Sequence, residues 1–179
     1  QKLAYQKIQQ LYGDNKNLIV INKGLASNPG FLELSIGEDR SVLATMSEKW
    51  KKEGSFSKSY MWTKTEKVSV TTMDNLIAEY GLPKFCKIDV EGFEYQVLQG
   101  QSQPIPYISF EFHKNFFDEA KKCVNHLLQF GNAEFNVCFD TSIEFAFSEW
   151  VNPDELFQKI EQSKDQDLWG DIYVKFKNV

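Results

Sequence analysis

The stretch FCKIDVEGFEYQVLQG, residues 85–100, limits the fold more than any other part of the chain. Ile88 and Val90 call for burial, yet Asp89 and Glu91 are interleaved with them, and carboxylates are rarely buried without a partner. Such a segment reads as a core strand whose carboxyl end leaves the interior, beside a paired cation or into an open cleft. Gly92 then leaves backbone space for a close approach, and helix signals from Phe93 to Leu98 end at Gly100. The unit is strand, turn, helix.

That order recurs along the chain. Ala4, Ile8, Leu11 and Tyr12 form an apolar stripe on a predicted first helix that stops at Gly13, and Leu18 to Leu25 reads as a buried strand rich in branched residues. After a turn at residues 28–30, Phe31, Glu33 and Ser35 alternate with Leu32, Leu34 and Ile36, a half-exposed strand. KVSVTTMDNLIAEYGLP supplies a strand, a Thr72 cap and a helix closed by Gly81 before Pro83. IPYISFEFH is a strand, FDEAKKCVNHLLQFG a helix, Phe135 to Phe139 a strand, and NPDELFQKI a helix capped by Asn152 with Pro153 at its first position. Asp171 to Phe176 is the last strand. Residues 47–66 lack periodicity and carry Trp50, Trp62 and the lysines 49, 51, 52, 58 and 64, so they read as a long surface insertion. The alternation predicts an α/β fold, a parallel sheet with helices on both faces.

Bulk properties set the function classes. A chain of 179 residues with 42% hydrophobic content matches one domain spanning residues 1–179. Net charge is −5 and the 20 basic residues are scattered, which argues against nucleic acid or an anionic membrane as partner. No apolar run approaches the roughly 20 residues of a membrane span, and the amphipathic start is unlike a signal peptide, so a cytoplasmic protein is expected. Cys86, Cys123 and Cys138 have no close spacing and read as reduced core thiols.

In parallel sheets, ligands bind beyond the carboxyl ends of strands. The two-residue period puts Lys87, Asp89 and Glu91 on one face of their strand, and Ser109, Glu111 and His113 on one face of the next. If the strands are neighbours, their ionisable groups converge. One reading is a polar cleft with a base for a hydroxyl or amine, or oxygen ligands for a hard cation, although no local ligand spacing specifies a metal. The other is a Lys87–carboxylate pair with His113 starting a helix. Glu94 reads as solvated or ion-paired, and His126 as a satisfied structural histidine.

KIDVEGFEYQVLQG and ISFEFH, with VTTMDNL ahead of them, resemble the FkbM family of S-adenosylmethionine-dependent methyltransferases, and NLIVINKGLASNPGFLELSI follows the same course. The resemblance implies a Rossmann-like class I methyltransferase sheet, mostly parallel with an antiparallel last strand. It also implies methyl transfer to a hydroxyl of a small molecule, sugar or glycan. Gly24 and Leu25 would lie near the adenine, and Asp89 would face the methyl-transfer centre. Asp89 or His113 would be the base, with Glu91 and Glu111 orienting the acceptor or a cation. Such enzymes carry a glycine-rich loop after a central strand ahead of the first helix found here, so a further amino-terminal part of about two strands and one helix is expected. A catalytically silent methyltransferase-like binding module is the alternative.

Overall fold

The computed structural model describes residues 2–37 and 42–177. The amino-terminal stripe forms α1 (Lys2–Tyr12), and the turn at Pro29 leads into β2 (Gly30–Gly37) after a short β1 (Gly24–Leu25). There follow α2 (Glu48–Glu53), β3 (Trp62–Thr71), α3 (Met73–Tyr80), β4 (Phe85–Ile88), α4 (Glu94–Leu98) and β5 (Tyr107–His113). The remainder is α5 (Phe117–Leu127), β6 (Ala133–Phe139), α6 (Pro153–Glu161) and β7 (Trp169–Phe176). Local chemistry sets the boundaries: Thr72 Oγ1 accepts from Asn75 N at 3.1 Å to start α3, and Asn152 Oδ1 accepts from Glu155 N at 3.0 Å to start α6.

Two sheets form among the described residues, in the orders β1-β3-β2 and β4-β5-β7-β6. The pairs β1–β3 and β4–β5 are parallel, whereas β2–β3, β5–β7 and β6–β7 are antiparallel. The expected mostly parallel sheet is thus replaced by two mixed ones, with β7 antiparallel as expected. The reason is connectivity: β2 and β3 form a wide hairpin, and β7 enters between β5 and β6.

Helices cover one face of the larger sheet rather than both. Ile108, Phe110, Phe112, Ile172 and Val174 share a buried cluster with Met73, Leu98, Val124, Leu127, Leu156 and Ile160 from α3 to α6. The alternate residues, Tyr107, Glu111, Tyr173 and Lys175, point the other way and stay partly exposed. On that second face Phe145 packs on Tyr173 and Trp150 on Tyr107, and α2 and its flanks close over the carboxyl end through Trp50 against His113, with ring centroids 4.8 Å apart.

Two further expectations change. Of the strand expected from Leu18 to Leu25 only β1 forms: its register with β3 begins at Gly24, and Leu18 and Ile19 lie 42% and 63% exposed without a ladder partner. The expected surface insertion at 47–66 is partly core. Ser47 Oγ caps α2 by accepting from Trp50 N at 3.0 Å, and Trp50 is 1% exposed, packed on His113, Phe116 and Phe56. The lysines of that segment do not gather: Lys49 pairs with Glu119 at 2.7 Å, and Lys51 donates to Ser35 Oγ at 2.9 Å. No described helix is long and apolar enough to cross a membrane.

Trp50→Ala should therefore cost about 3–5 kcal/mol in urea unfolding, the range for emptying an aromatic core site. A loss below about 0.5 kcal/mol, typical of surface changes, would contradict its structural role.

Candidate active site

β4 and β5 run side by side with Lys87 opposite Ser109 and Ile88 opposite Phe110. Extending that register brings Asp89 alongside Glu111, and β7 adds Asp171 across from Glu111 and Trp169 across from His113. The convergence inferred from the two strand periods is realised.

Beyond Ile88 the chain makes a tight left-handed turn, with φ of 53° at Glu91 and 80° at Gly92. A side chain on Gly92 would meet Trp50 Cβ and Cγ at 2.7 Å, so both its φ and its packing favour glycine. Glu94, read from sequence as solvated or ion-paired, is instead 7% exposed. Its Oε1 accepts from Val90 N at 3.2 Å and Gly92 N at 3.3 Å, and Thr45 Oγ1 donates to the Glu91 carbonyl at 2.6 Å. The turn is tied from inside, and its outward side chains are Asp89 and Glu91.

One carboxylate oxygen from each of Asp89, Glu91 and Glu111 lies within 4.8 Å of the others, a spacing that could gather a hard cation or share a proton. Burial, then the Glu111 charge, then Asp89, pushes Glu91 up to about 8, the nearby Trp50 indole partly opposing. Glu91 Oε2 is itself buried without a hydrogen-bond partner among the described residues. Burial raises Glu94 to about 7 against its backbone hydrogen bonds. Asp89 is also raised, by burial and then by Glu111, while Lys87 at 3.9 Å works in the opposite direction. Lys87 pairs more closely with Asp171.

His113 is held on all sides. Its ring stacks on Trp169 at 6.2 Å and 19°, and Trp50 covers its other flank. Ser55 Oγ lies 2.8 Å from Nδ1 and donates to Asn115 Oδ1 at 3.0 Å. With its proton committed there, the Ser55 oxygen accepts from Nδ1–H, a tautomer assigned from this network. Nε2 is left as an acceptor, 3.6 Å from Glu111 Oε2.

Two cavities meet at these acids. One of about 270 Å³ is lined by Gly24, Leu25, Met46, Asp89, Val90 and Glu91 among others. The other, about 490 Å³, is lined by Ser55, Phe56, Glu91, Glu111, His113 and Trp169 among others. Glu91 borders both. All six residues singled out from sequence therefore line one or the other cavity: Gly24, Leu25, Asp89 and Glu91 the smaller, and Glu91, Glu111 and His113 the larger.

The family model of the methyltransferase FkbM domain matches residues 2–162. The chain belongs to the FkbM methyltransferase family. No curated protein and no solved structure matches it significantly. Within this FkbM domain, sequence reading missed Ser55, Thr45, Trp169 and the buried role of Glu94. Glu94 alone carried a local signal, its place at the first helical position after a glycine turn. The others arrive through tertiary contacts. His126 is satisfied structurally, with Nε2 3.0 Å from the Leu98 carbonyl oxygen.

Because Glu91 and Glu94 bind protons more tightly folded than unfolded, the native state holds extra protons between about pH 4.5 and pH 8. That contribution to stability is complete below the unfolded values and is lost as pH rises through about 7 to 8. Glu91→Gln should flatten this decline and raise the thermal midpoint at about pH 8.5 by roughly 2–8 °C, for about 1–2 kcal/mol of relieved charge burial. An unchanged pH profile would show that Glu91 is not held protonated.

Proposed function

We propose that the chain is an S-adenosylmethionine-dependent O-methyltransferase acting on a hydroxyl of a small molecule, sugar or glycan. The observation that carries this reading is the junction of two cavities at Glu91: the smaller is lined by Asp89 and Glu91 and the larger by Glu91 and Glu111, with the three carboxylates within 4.8 Å of one another, as a reaction between two bound molecules requires.

Gly24, Leu25 and Asp89 would hold part of the cofactor. Leu25, Val90 and Phe93 offer apolar contact in the same cavity where Asp89 and Glu91 offer carboxyl oxygens, a donor set suited to a molecule with an aromatic base and positive charge. At about 270 Å³ this cavity falls just under the ~300 Å³ lower bound of small-molecule sites, so it fits one end of such a cofactor. When bound, S-adenosylmethionine supplies a methyl group on a positively charged sulfur.

The chain's own residues align the hydroxyl and take its proton. His113 Nε2, a free acceptor in the tautomer fixed by Ser55, removes the proton from an acceptor hydroxyl in the larger cavity. Glu111 stabilises the resulting imidazolium from 3.6 Å. Glu91, protonated below about pH 8, can donate a hydrogen bond to the acceptor. Trp50 and Trp169 keep the imidazole from rotating away.

Calorimetry should show S-adenosylhomocysteine binding to the full chain, and His113→Gln should lower kcat by about 10²-fold or more with that affinity within about threefold of wild type. Failure of the wild type to bind would overturn the cofactor assignment. Unchanged turnover in the variant would remove His113 as the base.

A further inference from the structure

The larger cavity has a chemical bias that the transfer reaction does not explain. Among the described residues its lining includes three carboxyl side chains, Glu91, Glu111 and Asp167, and no lysine or arginine. Three lysines of the surrounding elements are engaged elsewhere: Lys87 with Asp171 and Asp89, Lys49 with Glu119, and Lys114 with the Ser163 carbonyl. His113, 8% exposed, borders the same space with its Nε2 3.6 Å from Glu111 Oε2. Glu91 Oε2, buried without a hydrogen-bond partner among the described residues, is the polar atom left for a ligand. Phe56, Leu43 and Trp169 add apolar wall, while Ser55 and Ser59 add hydroxyls.

Each feature selects a different part of a guest. Aromatic walls favour the C–H face of a ring over a flexible chain. Hydroxyl and carboxyl oxygens take up ring hydroxyls. Like charges close together repel, so a phosphate or carboxylate on the guest is disfavoured beside these carboxylates. A protonated amine gains a charge-assisted hydrogen bond and attraction to the aromatic faces.

We propose that the acceptor is a polyhydroxylated ring bearing a protonated amine, an amino sugar or aminocyclitol, and that Asp167 at the rim selects it against acidic and phosphorylated analogues. This rests on the larger cavity being the acceptor site of the proposed methyltransferase. Asp167 is exposed, makes no part of the proton-transfer machinery, and can be changed without touching the core.

The test titrates the full chain with D-glucosamine, D-glucose and D-glucuronate at about pH 6.5, with and without saturating S-adenosylhomocysteine, and repeats the series with Asp167→Asn and Asp167→Lys. The account expects glucosamine to bind roughly fivefold to twentyfold more tightly than glucuronate, with glucose between. Asp167→Asn should reduce that ratio to within about threefold, and Asp167→Lys should reverse it. Equal affinities in the wild type, a ratio indifferent to Asp167→Lys, or binding of none of the three sugars would overturn the proposal. S-adenosylhomocysteine binding is read separately in the same titrations. Its absence alongside a preserved amine preference would sink the methyl-transfer reading and leave the cavity's selectivity standing.

Discussion

A buried carboxylate holds the site together. Glu94 accepts from Val90 N and Gly92 N, two backbone donors that a left-handed turn takes out of any ladder. Leaving either donor unpaired in the interior would cost about 1–3 kcal/mol, so the turn and the buried acid stabilise each other. The acid itself is kept from ionising freely by burial, which raises it to about 7. With the backbone fastened inward, Asp89 and Glu91 have only the outer side to occupy. This is why two carboxylates can be interleaved with Ile88 and Val90: the strand stops at Ile88, and the acids belong to the turn.

From that turn the rest of the site follows by register. The parallel pairing of β4 with β5 sets Asp89 near Glu111, and the antiparallel β7 brings Trp169 to His113. Trp50 from α2 then closes over Gly92 and His113 together, so a segment distant in sequence seals the junction between turn and histidine. Burial, and then the neighbouring carboxylates, raise the proton affinity of Asp89, Glu91 and Glu94 here, and the chain tolerates this because two of them, Glu91 and Glu94, hold protons near neutral pH. A site that stores protons and sets an imidazole nitrogen 3.6 Å from a carboxylate oxygen is poised for proton transfer, at a cost in stability that rises with pH.

Local chemistry was readable from sequence wherever one residue and its near neighbours decide the outcome. Thr72 and Asn152 cap the helices they were expected to cap, and the alternation in β5 put Ser109, Glu111 and His113 on one face. Pairing across the chain was not readable. Branched residues from Leu18 to Leu25 signal a strand, yet a strand needs a neighbour, and β3 offers one only from Gly24. Trp50 sits among lysines, and its burial comes from His113 and Phe116, more than sixty residues away in sequence. The orientation of β2 and β7 is likewise a consequence of where the chain returns, so a βαβ-like pattern suggested more parallel pairing than exists. Of the site, the six named residues were found by strand period and family resemblance, whereas the Ser55 and Trp169 contacts that orient His113 had no sequence signal.

The most direct test of the central claim, that a shared acidic wall joins a cofactor cavity to an acceptor cavity, is a crystal structure of the chain with S-adenosylhomocysteine. The account predicts density for the thioether in the cavity lined by Gly24, Leu25 and Asp89, on the side bordered by Glu91, with His113 still facing the larger cavity. Density elsewhere on the molecule, or Asp89, Glu91 and His113 turned away from one another in that crystal, would contradict it.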